Sequence, residues 1–283
     1  MSKINLSRSA VVVLATLLSV TKGMAMETNF VFTCENLRPW PGAQPVNCET
    51  RDFEIPYDGG NFKVTAGGAV RIRGWDRDTI AVRARIEIYS DDAQNISPSI
   101  VNVQITANDL GVSGPQLEGN QWWQVSFELF VPQGISAALE VKNGLVNVAD
   151  FNGSLDMNIN NGAIDVRRCV GVIKGSTRNG FIQVESSGAD GQNIDLKTGN
   201  GELKFNIANT YNGDFNLTQN WGSLQISQAL IELPGLRIGT RDQQHFNASL
   251  GNHDSNNRIA LSTNNGNVYA AVAAAPIVKQ AVK

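Results

Sequence analysis

From Phe62 onward, apolar and polar residues alternate. Phe62, Val64 and Ala66 are followed by Val70 and Ile72. The longest run, Ile80, Val82, Ala84, Ile86 and Ile88, has Arg83, Arg85 and Glu87 between its members. Val101, Val103 and Ile105 repeat the pattern, as do Trp123, Val125, Phe127, Leu129 and Val131 before Pro132. A period of two with one apolar face predicts half-buried β-strands. No stretch beyond the first 25 residues has a convincing period of 3.6, so the expectation is an all-β chain.

From about Leu139 the alternation becomes a repeat. Its fixed points are Gly144, Gly162, Gly180, Gly201, Gly222 and Gly266, spaced 18, 18, 21, 21 and 44 residues apart. Asn143, Asn161, Asn179, Asn200 and Asn265 precede five of these glycines, and Trp221 precedes the sixth. Two residues after the glycine come Val146, Ile164, Ile182, Leu203, Leu224 and Val268. Five before it come Leu139, Met157, Gly175, Leu196, Leu217 and Leu261. The apolar phase therefore slips by one residue at every Asn-Gly. A corner that keeps the same face inward on both sides of a bend accounts for that slip. The 44-residue gap predicts one degenerate coil near Gln243 and Gln244, with Leu236, Ile238 and Thr240 before it and Phe246 and Ala248 after it.

Units of this size that cannot bury their own apolar face form a shared core by stacking. The predicted fold is a β-solenoid (parallel β-helix) of about seven coils, with an N-terminal antiparallel or mixed β cap region. In it, the corner asparagines stack into a ladder of side-chain amides. The columns Asp156, Lys174, Asp195 and Arg167, Glu185 place opposite charges on successive coils. Read along the chain, residues 1–25 are an export signal, 26–52 a Cys-containing extension and 53–133 the N-terminal strand region. Residues 134–271 are the repeats and 272–283 a tail. The Ala-rich stretch Ala270–Pro276 is the expected C-terminal cap.

Composition narrows the partners. Lys3 and Arg8 precede an apolar run from Ala10 to Val20, and Gly23 and Ala25 fit a cleavage site, which reads as a secretory signal peptide. Eleven apolar residues are too few for a membrane span, which needs about 20. The chain beyond residue 25 carries 20 basic and 26 acidic residues, which speaks against nucleic acid as a partner. Cys34 and Cys48, with three prolines and a glycine between them, read as a disulfide of an oxidising compartment. Cys169 reads as a small buried filler.

Little points to chemistry. His245 and His253, Asp76 and Asp78, and the turn Gly188–Leu196 are the only faint metal or carboxylate candidates, and each reads better as loop structure. The expectation is a non-enzyme with no metal and no cofactor. Trp122 and Phe130 lie opposite the core phase of their strand and are the candidate ligand contacts. An exposed indole could stack on a sugar.

The block Gly59–Ala84 (GGNFKVTAGGAVRIRGWDRDTIAVRA), the FVP at Phe130–Pro132 and the segments LEVKNGLVNV, MNINNGAIDV, GSTRNGFIQV, LKTGNGELKF and LSTNNGNVYA resemble a bacterial family of candidate adhesins, a domain of unknown function with β-strand repeats. The resemblance covers about residues 53 to 271. It departs at the Cys34–Cys48 extension, at Trp221 and at the coil near Gln244. It implies an extracytoplasmic β-solenoid without a known catalytic site, and it brings no functional residues with it. The expectation is therefore an exported, non-catalytic binding or adhesion module of the bacterial envelope, periplasmic or at the cell surface. Its partners would be an envelope polysaccharide or a surface protein. The alternatives are a self-stacking scaffold and a polysaccharide-active enzyme.

Overall fold

A computed structural model describes residues 30–35, 37, 45–90, 96–106, 108–251 and 256–273. The expected signal peptide, most of the proline-rich loop, His253 and the residues beyond Ala273 lie outside them.

Strand β1 (Pro45–Pro56) is followed by β2 (Asn61–Ala66), β3 (Val70–Trp75), β4 (Thr79–Tyr89), β5 (Asn102–Ile105), β6 (Asp109–Ser113) and β7 (Trp122–Pro132). Then come β8 (Ile135–Asn143), β9 (Val146–Ala149), β10 (Asn152–Asn161), β11 (Ile164–Arg167), β12 (Val170–Asn179), β13 (Ile182–Glu185), β14 (Gln192–Asn200) and β15 (Leu203–Ile207). The chain continues with β16 (Gly213–Trp221), β17 (Leu224–Ile226), the single turn α1 (Gln228–Ile231), β18 (Leu236–Arg241), β19 (His245–Leu250), β20 (Arg258–Asn265) and β21 (Val268–Val272).

These strands make an all-β molecule of two large mixed sheets. The ten-stranded sheet runs β1-β4-β7-β3-β9-β11-β13-β15-β21-β17, and the eleven-stranded sheet runs β18-β19-β16-β20-β14-β12-β10-β8-β2-β6-β5. The sheets share one hydrophobic core but are not closed onto one another. From β8 to β15 a longer strand in the larger sheet turns at the Asn-Gly into a shorter strand in the smaller one. Each such unit pairs in parallel with the next. Leu139, Met157, Leu196 and Leu261 line the larger sheet's inner face, and Val146, Ile164, Ile182, Leu203 and Val268 line the other. Each large aliphatic side chain buried there contributes about 1.5–3 kcal/mol.

The corner glycine is what lets the layers approach. Gly162 has φ +153°, and a Cβ built on it would collide with the Gly144 carbonyl oxygen of the layer below. That backbone conformation turns the chain while keeping the apolar face inward on both sides. The opposite corner uses non-glycine residues, Asp150 (φ 54°) and Arg168 (φ 51°), joined by an Arg168 Nε–Asp150 Oδ1 ion pair of 2.7 Å.

Two expectations are corrected. No parallel layer forms around Gln243 and Gln244. Instead β18 and β19 pair antiparallel with each other, and β19 pairs antiparallel with β16. The Asp242 carboxylate accepts from the Gln244 and His245 amides (2.8 and 2.7 Å), which fixes a tight reversal there. Phe246, Ala248 and Leu250 still turn inward, so the apolar phase survives in a hairpin. The described part of the Ala-rich end, Ala270–Ala273, also does not cap the stack. Ala270 lies in β21, which is internal between β15 and β17, just as β20 lies between β14 and β16. The last layer in the chain thus fills the last-but-one place in the stack. A physical reason is visible in the corner column: Asn265 matches Asn200 and continues its amide bonding, whereas Trp221 has no amide and takes the end.

The N-terminal region is mixed. β2 and β3 extend the parallel stack, β4 pairs antiparallel with β1 and β7, and β5 pairs antiparallel with β6. The Cys34–Cys48 disulfide is formed, with Cα atoms 5.7 Å apart.

Candidate functional site

The corner asparagines lie in register along one edge of the stack. Asn161 Nδ2 donates to Asn143 Oδ1 (3.1 Å), Asn179 to Asn161 (2.9 Å), Asn200 to Asn179 (2.8 Å) and Asn265 to Asn200 (2.8 Å). Two residues earlier in the chain, Thr177, Thr198 and Thr263 donate their hydroxyls to the carbonyls of Gly162, Gly180 and Gly201, at 2.8–2.9 Å. Gly144, Gly162, Gly180 and Gly201 each donate their N–H to the Asn carbonyl of the following layer, and Gly266 donates to the Trp221 carbonyl. Nearly every polar group of this edge is therefore engaged within the stack, and the edge is structural.

The outer face of the eleven-stranded sheet is different. Its strands align short polar side chains in columns, with Asn158 and Ser176 between the longer Glu140 and Lys197. Two adjoining depressions of about 650 and 550 Å³ form over β2, β8, β10, β12 and β14, sharing Glu140, Asn158 and Ser176 as lining. Together they make one open groove crossing the strands. Both charge signs border it: Glu140, Asp156 and Asp195 against Lys142, Lys174, Arg178 and Lys197. Lys63 pairs with Glu140 at 3.1 Å. Asp156, Lys174 and Asp195 are in register across the groove floor.

The ten-stranded sheet is covered at one end. Val31 and Phe32 donate their N–H groups to Glu128 Oε2 (2.7 and 2.9 Å), and Arg71 reaches Oε1 at 3.2 Å, so Glu128 is fully buried. Arg83 lies over the Phe30 ring and Arg85 over Phe32. This strap was not legible in the sequence, because the residues it joins are nearly a hundred apart.

The aromatic candidates are engaged within the protein. Trp122 stacks flat on Tyr89, with centroids 3.9 Å apart, and Phe130 sits between Phe30 (5.3 Å) and Trp75 (5.7 Å). Cys169 is buried, and burial pushes its thiol up to about 11. Arg167, in register with Glu185, makes its ion pair with Asp165 of its own strand at 2.8 Å. Asp76 and Asp78 lie in the bend between β3 and β4. The Gly188–Leu196 turn is held by amides, Gln192 Nε2 and Asn257 Nδ2 both donating to the Ala189 carbonyl. His245 Nδ1 lies 3.1 Å from Asp242 Oδ1. Among the described residues no group of three or more His, Cys, Asp or Glu side chains could hold a metal ion.

The titrating groups with displaced affinities lie away from the groove. Hydrogen bonding to Arg168 holds the Asp150 carboxyl below its ordinary range, and Arg51 does the same for Glu49. Burial raises the Tyr89 and Tyr211 hydroxyls. No helix of the described residues is long and apolar enough to cross a membrane.

No protein-family model and no curated protein matches the chain. Among solved structures it is similar to a candidate cell adhesion protein from Clostridium sporogenes, at 9% identity and TM-score 0.42, covering 79% of this chain and 99% of that one. A candidate adhesin from Bacteroides fragilis is 10% identical with a TM-score of 0.27, covering 80% of this chain and 97% of that one. A candidate adhesin from Parabacteroides distasonis is 11% identical with a TM-score of 0.25, covering 80% and 97%. Likenesses this distant decide neither partner nor activity.

Proposed function

We propose that this chain is an exported, non-catalytic binding module of the adhesin kind, a β-solenoid in architecture, whose groove receives an envelope polysaccharide. The observation that carries this reading is the groove itself. It is open, bordered by side chains of both charge signs, and it crosses five registered strands. Small-molecule and catalytic sites are typically concave and enclosing. A shallow groove with rows of polar side chains between apolar stretches instead suits an extended hydroxyl-rich chain that meets many weak hydrogen-bonding groups in series. The paired Cys34 and Cys48 accord with an oxidising, extracytoplasmic compartment.

Ser176→Arg places a long side chain in the groove from an exposed position. It is expected to weaken binding of the mature chain to purified envelope polysaccharide by about tenfold or more, with an unchanged melting temperature. Equal binding by the variant and the parent would sink the groove assignment. Binding to proteinaceous surfaces alone would make a surface protein the partner. Release of reducing sugar from the polysaccharide would restore the enzyme alternative.

A further inference from the structure

The corner ladder ends at β16, where Trp221 stands in register with Asn265. Its indole is 73% exposed, far more than any other large apolar side chain among the described residues. Beside it lies a cleft of about 600 Å³. Gln219, Asn220, Trp221 and Gly222 border it from the corner, and Asp242, Gln243 and Gln244 border it from the β18–β19 turn.

Gln219 occupies the column that carries threonine in the neighbouring layers, Thr263 being its direct register partner. Those threonines find carbonyl acceptors, but Gln219 is bonded at one end only. Its Nε2 donates to the Gln243 carbonyl at 2.6 Å. Its Oε1 is buried and accepts nothing from the described residues, although the residue as a whole is only 2% exposed. A buried acceptor without a donor is costly, and the Gln219–Gln243 bond that accompanies it fixes the turn against the corner and so shapes the cleft.

The rest of the cleft specifies a partner. An exposed indole offers a flat apolar platform. The side chains of Gln243 and Gln244 carry both donors and acceptors. Lys and Arg are absent from its lining and Asp242 is present, which disfavours an anion. A ligand with an apolar ring face and hydroxyl donors on its rim meets all three conditions. We infer that the Trp221 cleft is a subsite for a neutral sugar residue, its ring on the indole and its hydroxyls on the exposed Gln243 and Gln244 side chains. The inference rests on the polysaccharide reading of the groove and deepens it. In the sheet, β14, the last strand lining the groove, is two positions from β16, or about 10 Å. A polymer lying across the strands therefore reaches both.

The test is titration of the mature chain with neutral gluco-, manno- and N-acetylglucosamine oligosaccharides, followed by tryptophan emission and calorimetry. One series is expected to give a saturable change. Trp221→Asn is expected to weaken that binding about tenfold or more while melting no lower than the parent, because an Asn there can continue the amide ladder. Trp221→Phe is expected to keep most of the affinity. Trp221→Asn binding like the parent, with Ser176→Arg abolishing binding, would overturn the subsite and leave the groove standing. A parent that binds no neutral series but does bind the purified polysaccharide would likewise overturn the subsite alone. No binding to either would overturn both readings.

Discussion

Asn179 shows how one side chain holds two layers. It donates to Asn161 and accepts from Asn200, while its carbonyl accepts the Gly162 N–H. Asn179→Ala removes both side-chain bonds and leaves the backbone bond. The expected cost is about 1 kcal/mol, read as a lower urea midpoint with an unchanged slope. An unshifted midpoint would mean that the amides merely line up. This column was legible in the sequence because it recurs: five asparagines before glycines at regular spacing point to one repeated local geometry. Gln219 was not legible for the converse reason. It departs from its column once, and its side chain's partner among the described residues, the Gln243 carbonyl, is supplied by a hairpin whose pairing no local pattern encodes.

At the scale of elements, the two corner types and the strap behave differently under sequence reading. The Asn-Gly corners shift the apolar phase and so announce themselves. The β18–β19 hairpin does not, because Phe246 and Ala248 keep the same phase whether the chain turns a corner or reverses. Asp242 makes the difference, by capping two amides of the reversal. The strap was hidden by its range. Glu128 follows the outward phase of β7 and reads as a solvated residue, yet Val31, Phe32 and Arg71 enclose it. Glu128→Ala takes away the acceptor of two backbone amides and the partner of a guanidinium. It is expected to destabilise by about 2 kcal/mol or more and to speed hydrogen exchange at the Phe32 amide. Unchanged exchange at Phe32 would show that the disulfide, rather than the carboxylate, holds the strap down.

At the scale of the molecule, the open ends of the stack are the concern, since unpaired strand edges invite further strands. One end carries the antiparallel strands β1 and β4 in one sheet and β5 and β6 in the other. The other end carries the β18–β19 hairpin, and α1 sets Leu230, which is fully buried, into the core. The eleven-stranded sheet is thus finished at both ends by antiparallel elements, whereas the ten-stranded one ends on β17, a strand of the repeat itself; the finished edges weigh against the self-stacking scaffold. Sedimentation of the mature chain is expected to give a single species whose coefficient does not grow with concentration. A concentration-dependent series of larger species would reverse that judgement.

The displaced layer has a further consequence, in time rather than in space. A stack built strictly in chain order can grow as the chain emerges, each unit docking on the one before. Here β16 and β17 arrive before β20 and β21 yet pair with them, so they have no parallel neighbour to dock on until the chain has passed Arg258. The hairpin, already paired with β16, has to wait as a detached flap. The final strands then enter between the flap and β14, making contacts with partners some 65 residues back, such as Asn265 to Asn200. Closing a slot of that loop length is the slow kind of contact. The far end of the molecule, including the Trp221 cleft, therefore forms last, and only after nearly the whole chain is present.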